Sequence, residues 1–244
     1  MHHPVAGTPP PRLGHRLFLT MGVTLLGIVF AGFGPSIVMP AGRSAPLTAL
    51  VIVHALVFLA WPLLFLAQST LISIGRAALH RRLGIAAAVL ALVMLPLGFA
   101  STIAMGRRGF DLSGDLKIRS DPLFQMVFPL GDLVTFALFI SAGFVLRRRP
   151  EYHKRLMLLG TIGSMSPAPL AHLIGHNYAG SPGVIVPILA IVFFTPAIYD
   201  RVHVGHFHRV TLIGAIMLLS WAIVRAGVIG PSKAWHDIAA WLVR

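Results

Sequence analysis

The sequence predicts an all-α integral membrane protein, a bundle of about seven transmembrane helices with its N-terminus in the cytoplasm and its C-terminus outside. Of the 244 residues, 56% are hydrophobic and only 11% are charged, whereas about a quarter of the residues in a soluble domain are charged. The apolar residues also fall into seven stretches close to the roughly 20 residues that a helix needs to cross a bilayer. This composition excludes a soluble globular enzyme and a disordered chain, and the lack of cysteine excludes disulfides and thiol catalysis.

Each predicted span is an apolar stretch with at most one charged residue. The spans cover residues 17–38, 47–73, 83–105, 123–146, 156–179, 184–199 and 210–228. The fifth contains three glycines and two prolines, so it is either a full span or a re-entrant segment. The domain boundaries that follow are a cytoplasmic tail over 1–16, a transmembrane domain over 17–228 and an interfacial C-terminal helix over 229–244.

The positions of the basic residues indicate the orientation. Twelve of the 20 Lys and Arg residues lie in the N-terminal tail and at the ends where odd-numbered spans begin, and eight lie elsewhere. The positive-inside rule therefore predicts a cytoplasmic N-terminus. A re-entrant fifth segment would change this bias from 12 against 8 to 10 against 10, so we favour a full span. The net charge of +13 is then explained by topology, and no nucleic-acid partner is predicted.

A histidine followed by basic residues opens every odd-numbered span. These openings are His15-Arg16, His80-Arg81-Arg82, His153-Lys154-Arg155 and His208-Arg209. One interpretation is purely topological, because basic residues at the cytoplasmic interface meet anionic lipid. The other is a cytoplasmic histidine cluster, His80 with His153 and either His206 or His208, that binds a cofactor or shuttles protons.

Five polar side chains lie inside the predicted spans at similar depth. With a rise of about 1.5 Å per residue, His54, Asp132, His172, His176 and Arg225 all fall roughly 5–13 Å below the outer boundary. Ionisable groups inside a bilayer are costly, so each is a candidate for function. His172 and His176 are four residues apart and share one helix face.

This layer is compatible with two kinds of bound group. His54 with His172 or His176 would suit a bis-histidine haem b, and Arg225 could meet a propionate. Alternatively, His54, Asp132, His172 and His176 would suit a divalent metal ion such as Zn, Cu or Fe. A third possibility is structural: Asp132 pairs with Arg225, and the histidines pack the helices or relay protons.

Two segments carry a resemblance to a known family. His80-Arg81-Arg82-Leu83-Gly84 and the stretch from Arg149 to Leu158, RPEYHKRLML, resemble motifs of an uncharacterised family of bacterial multi-pass membrane proteins. The stretch 61–69 is similar to that family as well, and the resemblance covers about residues 47–210. It implies an integral protein of the bacterial inner membrane, and it implies no particular activity.

A looser resemblance is to cytochrome b561-type membrane haem proteins, which hold haem between histidines of central helices near both membrane faces. His54 on the outer side, with His80 and His153 on the inner side, is similar to that pattern. The fourth span departs from it, because it contains Asp132 and no histidine. The resemblance therefore implies at most one haem, on the outer side.

The sequence is compatible with three functions. The first is a haem- or metal-binding redox protein that exchanges electrons with a quinone or a protein partner. The second is a transport or assembly-factor protein whose intramembrane polar residues pack helices or relay protons. The third is a metal-dependent membrane hydrolase in which a metal ion activates water.

Overall fold

A computed structural model describes residues 11–38, 48–109, 121–178 and 182–244; for 11–15, 36–37, 175–178 and 182 it describes the backbone alone. These residues form ten α-helices and one π-helical turn, with no β-strand among them. The helices are α1 Pro11–Val38, α2 Ala49–Ser73, α3 Ala77–Arg108, α4 Pro122–Gln125, α5 Val127–Val145, α6 Pro150–Met165, α7 Pro167–Tyr178, α8 Pro182–Val204, α9 Arg209–Val224 and α10 Lys233–Leu242, and the π-helical turn Arg225–Ile229 extends α9.

Seven helical segments are long and apolar enough to cross a membrane, so the predicted fold class is confirmed and the chain is a multi-pass membrane protein. Helices α4 and α5 form one candidate span, and α6 and α7 form another, Pro150–Ile174. The helices extend beyond the predicted spans mainly at the end of the bundle where the odd-numbered spans begin. There α3 starts at Ala77 and α8 continues to Val204, because polar residues at a helix end can lie outside the hydrocarbon.

Helix α6 is the centre of the bundle. Of the seven candidate spans, the one built from α6 and α7 is the least hydropathic and the most buried, with 67% of its apolar stretch inside the protein and at most 39% in the others. Gly160 and Gly163 let its neighbours approach: a Cβ on Gly160 would lie 2.7 Å from Ile140 Cδ1 of α5, and one on Gly163 would lie 2.5 Å from Leu218 Cδ2 of α9. Small residues at helix contacts are typical of membrane bundles.

A tryptophan ties α2 to this centre. The Trp61 indole is buried, donates from Nε1 to Thr161 Oγ1 of α6 at 3.1 Å, and meets the Phe136 ring of α5 edge-on at 4.7 Å. A buried Trp N–H usually finds such a partner. The contact fixes three helices relative to one another.

The connections 74–76, 146–149 and 205–208 lie at the same end of the bundle, with many of the basic side chains around them. We call this end the basic face and define it by Arg76, Arg81, Arg82, Arg147, Arg148, Arg149, Lys154, Arg201 and Arg209. Two of its turns use glycine in the left-handed region, Gly75 at φ +77° and Gly205 at φ +86°. It is the face that the sequence predicts to be cytoplasmic.

At the opposite face the C-terminal helix α10 packs against α4. Trp235 Nε1 donates to Leu123 O at 2.8 Å, and Ala239 is fully buried. Trp241 and Ile238 remain 68% and 53% exposed. One side of α10 is thus bound to the bundle, while the exposed apolar side suits a membrane interface.

Candidate functional site

Asp132 and Arg225 form a buried ion pair between α5 and the start of the π-helical turn. Arg225 Nη1 donates to Asp132 Oδ1 at 2.7 Å and to the backbone carbonyl of Phe128, also at 2.7 Å. The guanidinium carbon lies 6.0 Å from the ring centre of Phe128 and 5.6 Å from that of Trp221. This is the ion pair that the structural alternative predicts, and it neutralises both charges inside the bundle.

Gly131 makes room for the guanidinium. A Cβ at this position would overlap the Arg225 side chain, and the Gly131 carbonyl accepts a hydrogen bond from Trp221 Nε1 at 3.2 Å. The π-helical turn contributes as well, since Arg225 O accepts from Gly230 N at 2.8 Å, one residue later than in an α-helix. The backbone around the pair is thus shaped to hold a large cation.

The histidines of the predicted outer layer have separate surroundings. The His54 ring stacks on Phe58 of its own helix with 4.0 Å between centroids, and its Nδ1 is buried without a hydrogen-bond partner in the described part of the chain. The buried His172 ring lies 5.1 Å from Phe33 of α1. His176 belongs to α7, but its side chain is outside the described residues.

Within the described ranges, no three His, Asp or Glu side chains are grouped so as to hold a metal ion. That observation covers only part of the predicted metal site, because the side chain of His176 is not among the described residues. The other predicted ligands are His54, Asp132 and His172. The haem and metal assignments therefore remain predictions. Asp132 and Arg225 are the members of the layer that the structure brings into contact.

A second buried ion pair lies near the basic face. Arg155 of α6 donates from Nε and Nη2 to the two carboxylate oxygens of Asp200 of α8, at 3.1 and 2.6 Å. Thr211 of α9 donates to the same carboxylate at 2.6 Å, and Arg155 also binds the Glu151 carboxylate. Bidentate Arg–carboxylate pairs are among the stronger polar contacts, and this one joins three helices.

Sequence reasoning missed this network. In the prediction of orientation, Arg155 counts as one more basic residue of the cytoplasmic interface. The predicted sixth span ends at residue 199, one position before Asp200, so Asp200 falls outside the membrane-embedded candidates. A usable signal existed: Asp200 is the one acidic residue in the segment 152–236, where its apolar neighbours favour burial. A buried carboxylate needs a cation, and Arg155 is positioned to supply it.

The secondary candidates His80 and His153 do come together. Their rings are 6.2 Å apart between centroids and nearly perpendicular, at the starts of α3 and α6. His153 Nδ1 lies 2.8 Å from the Gly143 carbonyl. With the Gln68 amide in the orientation that satisfies its contacts, its nitrogen donates to His80 Nδ1 at 2.7 Å and its oxygen accepts from Gly84 N at 3.1 Å.

These partners assign the protons of the two imidazoles. A carbonyl only accepts, so His153 carries its proton on Nδ1 and its Nε2 is a base when the ring is neutral. The Gln68 nitrogen only donates, so the neutral His80 ring carries its proton on Nε2. His80 is thus a donor and His153 an acceptor at their remaining nitrogens. In the described residues His208 contacts Tyr152 instead of this pair, with 5.5 Å between ring centroids.

The chain matches no family model, no curated protein and no solved structure. The resemblances to the bacterial membrane family and to cytochrome b561-type proteins stay predictions. Among the described residues, the buried ion pairs, the imidazole pair and the unpartnered His54 nitrogen are polar features that bear on function.

Proposed function

We propose that this multi-pass membrane protein exchanges protons at its basic face, and that His80 and His153 are the exchanging groups. The observation that carries the proposal is the complementary protonation of the two rings, imposed by Gln68 and by the Gly143 carbonyl. Two metal-binding imidazoles would instead present two bare nitrogens. Imidazole is also the side chain whose charge changes near neutral pH.

The proposed transfer moves one proton in two steps. His80 first takes a proton from the solvent at Nδ1, where the Gln68 amide rotates so that its oxygen accepts, and becomes an imidazolium. It then passes its Nε2 proton to the bare Nε2 of His153, which becomes a cation that still donates from Nδ1 to Gly143, and His80 is left neutral with its proton on Nδ1. No direct hydrogen bond joins the rings in the described structure, so the second step requires a ring rotation or one bridging water.

Three buried hydroxyls between this pair and the outer ion pair are engaged within their own helices. Thr161 donates to the Met157 carbonyl, Ser164 to that of Gly160 and Thr135 to that of Gly131. Such bonds satisfy polar groups locally in membrane helices. We therefore assign proton exchange to the basic face, as in a transport or assembly-factor protein.

Nitrogen-15 NMR of the histidine-labelled protein in detergent tests this proposal. The expected spectra show His80 protonated at Nε2 and His153 at Nδ1, with titrations that depend on each other, so that His153→Gln changes the midpoint of His80. His203→Gln is the matched control, because His203 is an exposed histidine near the same face that stacks on Tyr199. Identical tautomers, or a His80 titration that His153→Gln leaves unchanged, would refute the proposal.

A haem- or metal-binding redox protein is the second candidate, favoured by His54. A buried ring nitrogen without a partner costs free energy, and iron or another metal would satisfy it. On this proposal His54 with His172 or His176 holds the group, and electrons pass to or from a quinone or a protein partner; a metal-activated water would give a hydrolase instead. The resemblance of residues 47–210 supports a location in a bacterial inner membrane.

An absorption spectrum tests this second candidate. Protein expressed with added haem precursor should show a Soret band that His54→Ala removes, while elemental analysis detects a non-haem metal. His203→Ala again serves as the control. A spectrum without a Soret band, together with no bound metal, would leave the imidazole pair as the better candidate.

A further inference from the structure

A shallow depression opens at the basic face between the first turn of α6 and the connection from α8 to α9. It is lined by Tyr152, His206, Phe207, His208 and Arg209. Arg201 fixes the connecting loop, because its Nη1 donates to the carbonyl of Gly205 at 3.0 Å. The depression therefore has a defined wall on the loop side, and the proposed proton exchange makes no use of it.

The charge at this depression is uncompensated. The nearby carboxylates are already engaged: Asp200 by Arg155 and Thr211, and Glu151 by Arg155 and Lys154. Arg209 is exposed, and in the described part of the chain it makes no ion pair. One guanidinium is thus available to an anion.

His208 adds a neutral donor. Its Nδ1 accepts a hydrogen bond from Val210 N at 3.2 Å, so the ring carries its proton on Nε2. Partial burial lowers the pKa of His208, and the positive charge of Arg155 lowers it further; the carboxylates of Asp200 and Glu151 oppose this shift without reversing it. The imidazole is therefore uncharged at neutral pH, and the formal charge that this part of the wall offers is the single charge of Arg209.

We infer that this depression binds the phosphodiester of an anionic lipid headgroup, of the phosphatidylglycerol class. A phosphodiester carries one negative charge, which matches one guanidinium flanked by neutral donors. Tyr152 and Phe207 are 38% and 45% exposed at the level where two candidate spans begin. Exposed aromatic rings at that level lie among lipid headgroups, so a lipid reaches this site more readily than a soluble phosphate.

Native mass spectrometry of the intact protein tests the inference. The protein is exchanged into detergent that contains equal amounts of phosphatidylglycerol and phosphatidylcholine, and the retained lipid is counted. Wild-type protein should retain phosphatidylglycerol preferentially, and Arg209→Gln should lower that retention about fivefold, as expected for one basic residue at a lipid surface. Arg148→Gln is the matched control, since it removes an exposed charge of the same face that does not line the depression.

His206→Ala is a second variant, chosen because His206 is exposed and its loss should not affect folding. It should also reduce retention. Equal losses in Arg209→Gln and Arg148→Gln would mean diffuse attraction by the whole face and would overturn the site. Displacement of the lipid by millimolar inorganic phosphate would overturn the lipid as ligand in favour of a soluble anion. Failure of the imidazole titration would leave these results unaffected.

Discussion

Arg225 and Asp132 each place a charged side chain inside the bundle, and Arg225 Nη1 lies 2.7 Å from Asp132 Oδ1. Arg225 is 3% exposed and Asp132 8%. Taking two charges out of water is costly, and their attraction repays this cost only where the geometry is good. Here the Phe128 carbonyl and two aromatic rings support the cation, so either partner left alone would be a buried charge with no counterion.

A double-mutant cycle should expose this dependence. Asp132→Leu and Arg225→Met should each lower the free energy of unfolding by about 3–5 kcal/mol, because each leaves one uncompensated charge. The double variant should lose less than either single one. Unfolding in mixed detergent, followed by the loss of helical signal, measures all four proteins.

Additive effects in that cycle would contradict the pairing. A stable Asp132→Leu variant would also do so, and would return Asp132 to the set of free candidate ligands. Arg108→Gln provides a control for general loss of positive charge, since Arg108 is an exposed residue at the end of α3.

The sequence indicated some of these residues and not others for a physical reason. Asp132 and Arg225 stand out because each is the one charge of an apolar stretch, which is a local property. The contact of Arg155 with Asp200 joins positions 45 residues apart, and Arg155 lies in a basic run, His153-Lys154-Arg155, that is typical of a solvated helix end. Whether His54 and His172 converge also depends on helix packing, which composition does not encode.

Helix α10 is joined to the start of α4 by a contact between Asp121 and His236, two residues that lie outside the candidate spans. We call this contact the clasp. Asp121 caps α4 by accepting from Leu123 N at 3.0 Å, and its other oxygen lies 2.5 Å from His236 Nε2 of α10. His236 Nδ1 lies 2.9 Å from Ser232 O. With Nδ1 donating to that carbonyl, only the protonated ring can also donate to Asp121.

Both pKa values respond to this contact. The hydrogen bond to Ser232 O and the one to Asp121 hold the pKa of His236 above its ordinary 6.5. Slight burial acts to raise the pKa of Asp121, but the hydrogen bonds from His236 and Leu123 outweigh it and leave the pKa below its ordinary 3.8. The clasp is therefore complete between pH 3.8 and 6.5, weakens as the pH rises through the raised pKa of His236, and weakens again as the pH falls through that of Asp121.

The protection of the α10 amides from hydrogen exchange should be greatest in the pH range where the contact between His236 and Asp121 is complete. After correction for intrinsic rates, protection should be greater at pH 6 than at pH 9, because neutral His236 turns a lone pair towards the Asp121 carboxylate. In His236→Gln the protection should no longer change over this range. A pH-dependence that persists in the variant would assign the effect to another group.

For the whole molecule, the orientation in the membrane is the prediction with the widest consequences. The chain contains no cysteine, so single cysteines can be introduced without a background. Arg148→Cys on the basic face should be protected from a membrane-impermeant maleimide in intact cells, and Lys233→Cys at the start of α10 should react. Both side chains are exposed, so reactivity reports the side of the membrane. The reverse pattern would invert the topology.

The number and order of the spans could be predicted from the sequence because hydrophobicity and length act locally. The fifth span was the ambiguous one, and the structure explains why. Gly160 and Gly163 face neighbouring helices, so the composition of the described part of this span reflects protein contacts more than lipid contacts. Hydrophobicity measures compatibility with lipid, whereas 67% of the apolar stretch of this span is buried against protein.

The same feature bears on how the protein is made. Insertion machinery selects nascent segments by their hydrophobicity, and α6 with α7 is the least hydropathic of the seven candidate spans. This segment is poorly suited to entering the bilayer before α8 and α9 are available to cover its polar side. We therefore expect α6 and α7 to insert stably only after the last two spans have been synthesised. A chain truncated before α8 should be degraded by membrane quality control.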